Sequence, residues 1–147
     1  VPNFTAPDQK FEIGKAVVLT EGKDVTIIAT GHLVWKAIEA EAKLAEAGIS
    51  AEVINIHTIK PLDEEAVLKT IAKTKCVVTA EEHQVIGGLG SAVGKVIAEH
   101  VPAPIEFVGV QDTFGESGTP DQLLEKYGMS AAHIVEAALK AIGRKSA

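Results

Sequence analysis

The sequence is short of several things that would define a function class. It has one cysteine, Cys76, in 147 residues, so no internal disulfide and no cysteine-paired zinc site can be written. That cysteine sits in the apolar run "KCVVTA", where a lone thiol reads as buried, reduced and inert. Aromatic residues make up only 4% of the chain, so the core has to be built from Val, Ile, Leu and Ala. Basic residues number 14 against 20 acidic ones, for a net charge of -6. Nucleic acid selects a basic face and is therefore not an expected partner. No apolar run reaches the roughly 18 residues of a membrane span, and no signal peptide is visible, so a cytoplasmic protein with no membrane partner is expected. The chain also lacks an initiator methionine. Its opening, "VPNFTAPDQKFEIGK", carries two prolines and no periodic pattern. Residues 1–9 read as a linker remnant, and the chain as a fragment of something longer.

What is there suffices for one domain over residues 10–147: hydrophobic content is 46% and mean hydropathy +0.19. Ala16–Leu19 and Val25–Ala29 are apolar runs separated by "EGKD". That is turn material, and it suggests a hairpin with the first strand antiparallel to its partner. The second run is rich in β-branched residues, as a strand buried on both faces would be. A helix follows over His32–Ala47, with Leu33, Val34, Ala37, Ile38, Ala42 and Ala45 at helical spacing and Gly48 placed to cap its end. "SAEVINIH" is the next strand. In "TIKPLDEEAVLKTIAKT", Pro61 and the acidic residues behind it mark a helix start. "KCVVTAEEH" is a third buried strand. "GGLGSAVGKVIAEH" is a helix with Ala92, Val93, Val96 and Ile97 on one face, and Ile105–Val110 is the last strand. "QDTFGESGTPDQLLEKYG" reads as a loop with a short helix. The final helix has Ser130 as its cap and Ile134, Val135, Ala138 and Ile142 as its stripe. This alternation predicts an α/β domain: a mostly parallel sheet with helices on both faces. Ligands of such sheets bind at the carboxyl ends of the strands, where Gly31, His57, Glu81–Gly90 and Gln111–Gly118 fall.

Two stretches at that edge invite a chemical reading. In "GGLGSAV", glycines at a strand-to-helix turn free backbone N–H groups, and the helix dipole favours an anion. The run is neither G-x-G-x-x-G nor a P-loop. The plainer alternative is that Gly87 and Gly88 take positive φ while Gly90 permits close helix–sheet packing. Ahead of it, Glu81 and His83 share one side of an extended strand end and Glu82 the other. A carboxylate beside a histidine can orient a base, yet no nucleophile elbow accompanies them, and Ser91 lacks its frame. The plainer alternative is a polar loop whose side chains bond helix N-termini or a neighbouring chain. Ser117 and Gly118 add backbone N–H groups that could hold an anion. The candidate anion or interface loop is thus Glu82, His83, Gly87, Gly88, Gly90, Ser117 and Gly118. No residue is assigned a catalytic, cofactor-binding or metal-ligating role. His32, His57, His100 and His133 show no metal spacing.

Four segments taken in order carry a resemblance: "DVTIIATG", "VINIHTIKPLDEE", "VVTAEEHQVIGGLGSAV" and "DTFGESGTPDQLLEKYGMSAAHIVEA". Together they resemble the C-terminal domain of transketolase, above all that of split transketolases, over Phe11 to Ile142. Deoxyxylulose-phosphate synthases are similar but carry a histidine where "FGESG" has Ser117. The β subunits of 2-oxoacid dehydrogenases are a more distant likeness. The resemblance implies a three-layer α/β/α domain with a five-stranded mixed, mostly parallel sheet whose first strand is antiparallel. It implies a parent enzyme that transfers a two-carbon ketol unit between sugar phosphates in the pentose phosphate pathway, with thiamine diphosphate and magnesium. In that family the cofactor and the catalytic glutamate belong to other domains, so no cofactor is expected on this chain. The implied partners are a second copy in a homodimer, an N-terminal transketolase subunit, or both. Two other classes stay open on the residues alone: a regulatory phosphate- or nucleotide-binding domain, and a small autonomous enzyme using Glu81 or His83.

Overall fold

The computed structural model describes residues 15–31, 33–57, 61–82, 88–110 and 131–145. In chain order these form β1 (Ala16–Thr20), β2 (Val25–Ala29), α1 (Leu33–Glu46), β3 (Ala51–Ile56), α2 (Glu64–Thr74), β4 (Val77–Glu82), α3 (Leu89–His100), β5 (Ile105–Val110) and α4 (Ala131–Lys145). The sheet order is β1-β3-β2-β4-β5. The ladders β3–β2, β2–β4 and β4–β5 are parallel, and β1 runs antiparallel to β3. The expected mixed sheet with an antiparallel first strand is what forms.

The expected hairpin does not. β3 lies between β1 and β2, so the "EGKD" segment reverses the chain without pairing the strands it joins. It crosses the amino end of β3 and is bonded to it. Asp24 N donates to Ser50 O at 2.8 Å, and Ser50 N donates back to Asp24 Oδ2 at 2.7 Å. Gly22 makes the crossing possible: a Cβ there would lie 2.2 Å from the carbonyl carbon of Ala51. Turn composition signals a reversal; it does not say which strand fills the gap.

β2 is buried along its whole length, as a central strand of a two-faced sheet must be. Alternation along the strands sorts the core into two layers. Val25, Ile27, Val53 and Val78 face α1 and α4, and Ile28, Ile54, Ile56 and Val77 face α2 and α3. α1 buries Leu33, Val34, Ala37, Ala40 and Leu44. Ala42 and Ala45, expected on its apolar stripe, face solvent, because the true stripe follows 33-37-40-44. Gly48, at φ 81°, ends the helix, and Ile49 N returns to Leu44 O at 2.9 Å. α2 starts just after Pro61, with Glu64 and Glu65 in its first turn as expected and Asp63 as its cap: Asp63 Oδ1 accepts from Ala66 N at 3.1 Å, and its Oδ2 accepts from Ala16 N at 2.9 Å. One carboxylate therefore caps the helix and ties it to β1. Ser130 and the expected short helix near Leu123 lie outside the described residues.

Candidate functional site

The carboxyl edge of the sheet is organised by Glu81. Residues of odd number in β4 point toward α3, which puts Glu81 beside the helix that follows. Its carboxylate accepts from Leu89 N at 2.8 Å and from Gly90 N at 2.6 Å, filling two of the amides that open α3. Both neighbouring glycines make room for it. A Cβ on Gly88 would sit 2.2 Å from Glu81 Oε1, and one on Gly90 would sit 2.7 Å from Phe107 Cδ1. Gly90 thus has the close-packing role expected of it. Gly88 does not have positive φ, contrary to expectation: its φ is -74°, and its lack of a side chain serves the carboxylate instead. The anion that the start of α3 attracts is supplied by the chain itself.

Around this cap, Gly31 takes φ 58° at the end of β2. His57 is exposed after β3, with its Nε2 3.4 Å from Asn55 Nδ2, and partial burial pushes its pKa down. Glu82 closes β4, in register with Val110 of β5. Glu81, Gly88 and Gly90 are brought together. His83, Gly87, Ser117 and Gly118 lie outside the described residues. One buried side-chain oxygen of the described residues, Thr79 Oγ1, has no partner; it stands two residues before Glu81 on the same strand face.

A second polar cluster, at the amino end of the sheet, has no counterpart among the sites expected from sequence. Glu52 of β3 is 3% exposed. Its Oε2 accepts from Thr70 Oγ1 at 2.6 Å, and its Oε1 from Gly22 N at 3.1 Å and from Lys73 Nζ. Burial by itself would raise the carboxyl pKa, but the bonds from Lys73, Thr70 and Gly22 prevail and hold it below the usual glutamate value. Thr70 gives its proton to Glu52 and so accepts from Thr26 Oγ1 at 2.7 Å, while Thr74 reaches Thr26 at 2.6 Å. Parity is the signal that points to this cluster: Glu52 shares its strand face with Ile54 and Ile56. The same end holds Cys76, fully buried, its Sγ donating to Asp24 O at 3.4 Å. Burial pushes that thiol's pKa up, against a smaller pull from Lys145, so it stays protonated and inert. Lys145 Nζ donates to Asp24 O at 2.6 Å and to Thr74 O at 2.9 Å. Between β1 and α2, beside Glu52, runs a half-open cleft of about 810 Å³.

A parallel α/β/α domain with an antiparallel first strand, and a carboxylate-capped helix at its carboxyl edge, defines a class of domain rather than a reaction. The chain belongs to the transketolase C-terminal domain family, whose model, "Transketolase, C-terminal domain", matches residues 14–134. It is 52% identical over 139 residues to a 6-deoxy-6-sulfo-D-fructose transketolase subunit of a Clostridium species, covering 95% of this chain and 43% of that protein. It is 40% identical over 141 residues to 1-deoxy-D-xylulose-5-phosphate synthase 1 of Geobacter sulfurreducens, covering 95% of this chain and 22% of that one. Among solved structures, a split-gene transketolase described as an inactive beta4 tetramer superposes with a TM-score of 0.92 at 51% identity, over 99% of this chain and 48% of that chain. The chain therefore spans less than half the length of the relatives it matches.

Proposed function

We propose that this chain is the C-terminal part of one subunit of a split, thiamine-diphosphate-dependent transketolase, and that it serves assembly rather than chemistry. The family match over residues 14–134 carries the reading. Further support comes from a 52% identical relative named as a transketolase subunit and a 51% identical structure described as a tetramer of β chains. The parent reaction is transfer of a two-carbon ketol unit between sugars. The relative's name adds a sulfonated sugar to the sugar phosphates worth assaying as donors.

The described residues do not fit the charged end of the cofactor. Among them no three His, Cys, Asp or Glu stand together as a divalent ion would require. The amides of Leu89 and Gly90, which could meet a phosphate, already hold Glu81. Thiamine diphosphate, on this reading, belongs to the rest of the assembly. What this chain contributes, on this reading, is a folded sheet that meets other polypeptide, either a second copy or the N-terminal subunit. No helix among the described residues is long and apolar enough to cross a membrane. Calorimetry is the test. The isolated chain should give no heat with thiamine diphosphate and magnesium, and the assembled enzyme should bind them. Micromolar binding by the isolated chain would sink the proposal.

A further inference from the structure

β1 and α2 are tied at two points and stand apart between them. At one end, Asp63 Oδ2 accepts from Ala16 N at 2.9 Å. At the other, Glu52 joins Gly22 N of the crossing to Thr70 and Lys73 of α2. The stretch between holds the half-open cleft of about 810 Å³, a size that suits a small-molecule ligand. Its wall is aliphatic, made of Val18, Leu19, Ile54 and Ala66, with Val18 47% exposed.

A register shift in β1 decides which charges face this wall. Val18 stands opposite Ile54, whose side chain belongs to the α2 layer, but Thr20 stands opposite Val53, whose side chain belongs to the α1 layer. Leu19 is the extra residue. Without the bulge, Thr20 would share the face of Val18. With it, alternation gives that face to Glu21, which lines the cleft. Bulges re-aim side chains in this way beside binding sites. Lys69 lines the cleft from α2. Glu21 and Lys69 are both exposed, and neither has an ion-pair partner among the described residues. Lys73, one turn after Lys69, is matched by Glu52. The cleft thus offers one unmatched anion, one unmatched cation and an aliphatic wall.

We propose that this cleft binds an aliphatic α-amino acid, with its ammonium on Glu21, its carboxylate on Lys69 and its side chain against Val18, Ile54 and Ala66. A simple anion would answer Lys69 but bring a like charge to Glu21, and a simple cation would do the reverse. A neutral apolar solute would take water from both charges and return nothing. A zwitterion with a short branched side chain answers all three features at once.

Calorimetric titration of the full-length gene product with L-leucine is the test. The expected result is saturable binding with a Kd of about 1 mM or tighter. Leucinol lacks the carboxylate and isocaproate lacks the ammonium, and each should bind about tenfold more weakly than leucine. Lys69→Ala should weaken leucine by a similar factor and leave leucinol unchanged, whereas Glu21→Gln should weaken leucine and leave isocaproate unchanged. Ala66→Trp fills the cleft and should abolish binding while the circular dichroism stays that of the parent. No saturation up to about 10 mM leucine overturns the proposal. So does isocaproate binding as tightly as leucine, which would make the cleft a site for aliphatic anions. Leucine binding that both charge substitutions leave unchanged overturns it too, because the ligand then sits elsewhere.

Discussion

Glu81 holds the start of α3 with one side chain, and the two glycines beside it leave it the space. Deleting the carboxylate in Glu81→Ala strands the amides of Leu89 and Gly90 in a partly buried position. The expected loss is about 1–2 kcal/mol of unfolding free energy, read by urea denaturation, with Glu81→Gln in between. An unchanged midpoint would mean that the cap contributes nothing. Glu52 poses a different problem, that of a charge 3% exposed inside a domain. Lys73→Met removes its cation, and because Lys73 is 43% exposed, water relieves part of the damage. We expect about 1–2 kcal/mol rather than the roughly 3–5 kcal/mol of a fully buried pair. The pH dependence follows from the lowered pKa of Glu52. A carboxyl that is more acidic folded than unfolded adds stability that is complete above the unfolded value, about 4.3, and is lost as the pH falls through the folded one. Lys73 is the largest of the causes that lower this pKa, so without it much of that added stability goes. The gap between variant and parent should therefore be widest at neutral pH and narrow toward pH 4, as urea titrations at several pH values would show.

At the scale of elements, the crossing beneath β3 is the most constrained join in the fold. Gly22→Ala places a methyl group 2.2 Å from the backbone of Ala51, where neither chain can yield without breaking the bonds among Asp24, Ser50 and Glu52. The expected loss exceeds about 2 kcal/mol in thermal or urea unfolding; a loss below about 0.5 kcal/mol would show that the crossing relaxes freely. The described elements were legible in the sequence, since short continuous apolar runs give way to a period of 3.6 at the boundaries between strand and helix. Their neighbours were less so. "EGKD" has the residues of a hairpin turn, and nothing local in it states that β3, some 30 positions on, will be inserted beside β1. The stripe of α1 was misplaced for a related reason: alanines suit either face of a helix, so Ala42 and Ala45 could not be told from Ala37 and Ala40 by composition.

At the scale of the whole molecule, family membership was carried by the order of four segments, and the arrangement of strands agrees with it. The edge where a ligand was sought was also legible, because strand ends and glycine turns mark it. The occupant was legible as one of two alternatives, an outside anion or a loop side chain bonding the helix N-terminus, and Glu81 fills the second. That Glu81, rather than an outside anion, meets the start of α3 depends on the reach of one side chain across eight residues, which spacing alone does not fix. The Glu52 cluster stayed hidden because its members, Gly22, Thr26, Glu52, Thr70 and Lys73, come from four separate segments. Lys145 spans the longest of these distances, joining the last turn of α4 to Asp24, 121 positions earlier, and to Thr74. On a ribosome, β2 and α2 are made long before the residue that clasps them. These two bonds cannot form until synthesis has passed Lys145, so β2 and α2 wait for their clasp longer than for any other described contact at this end of the sheet.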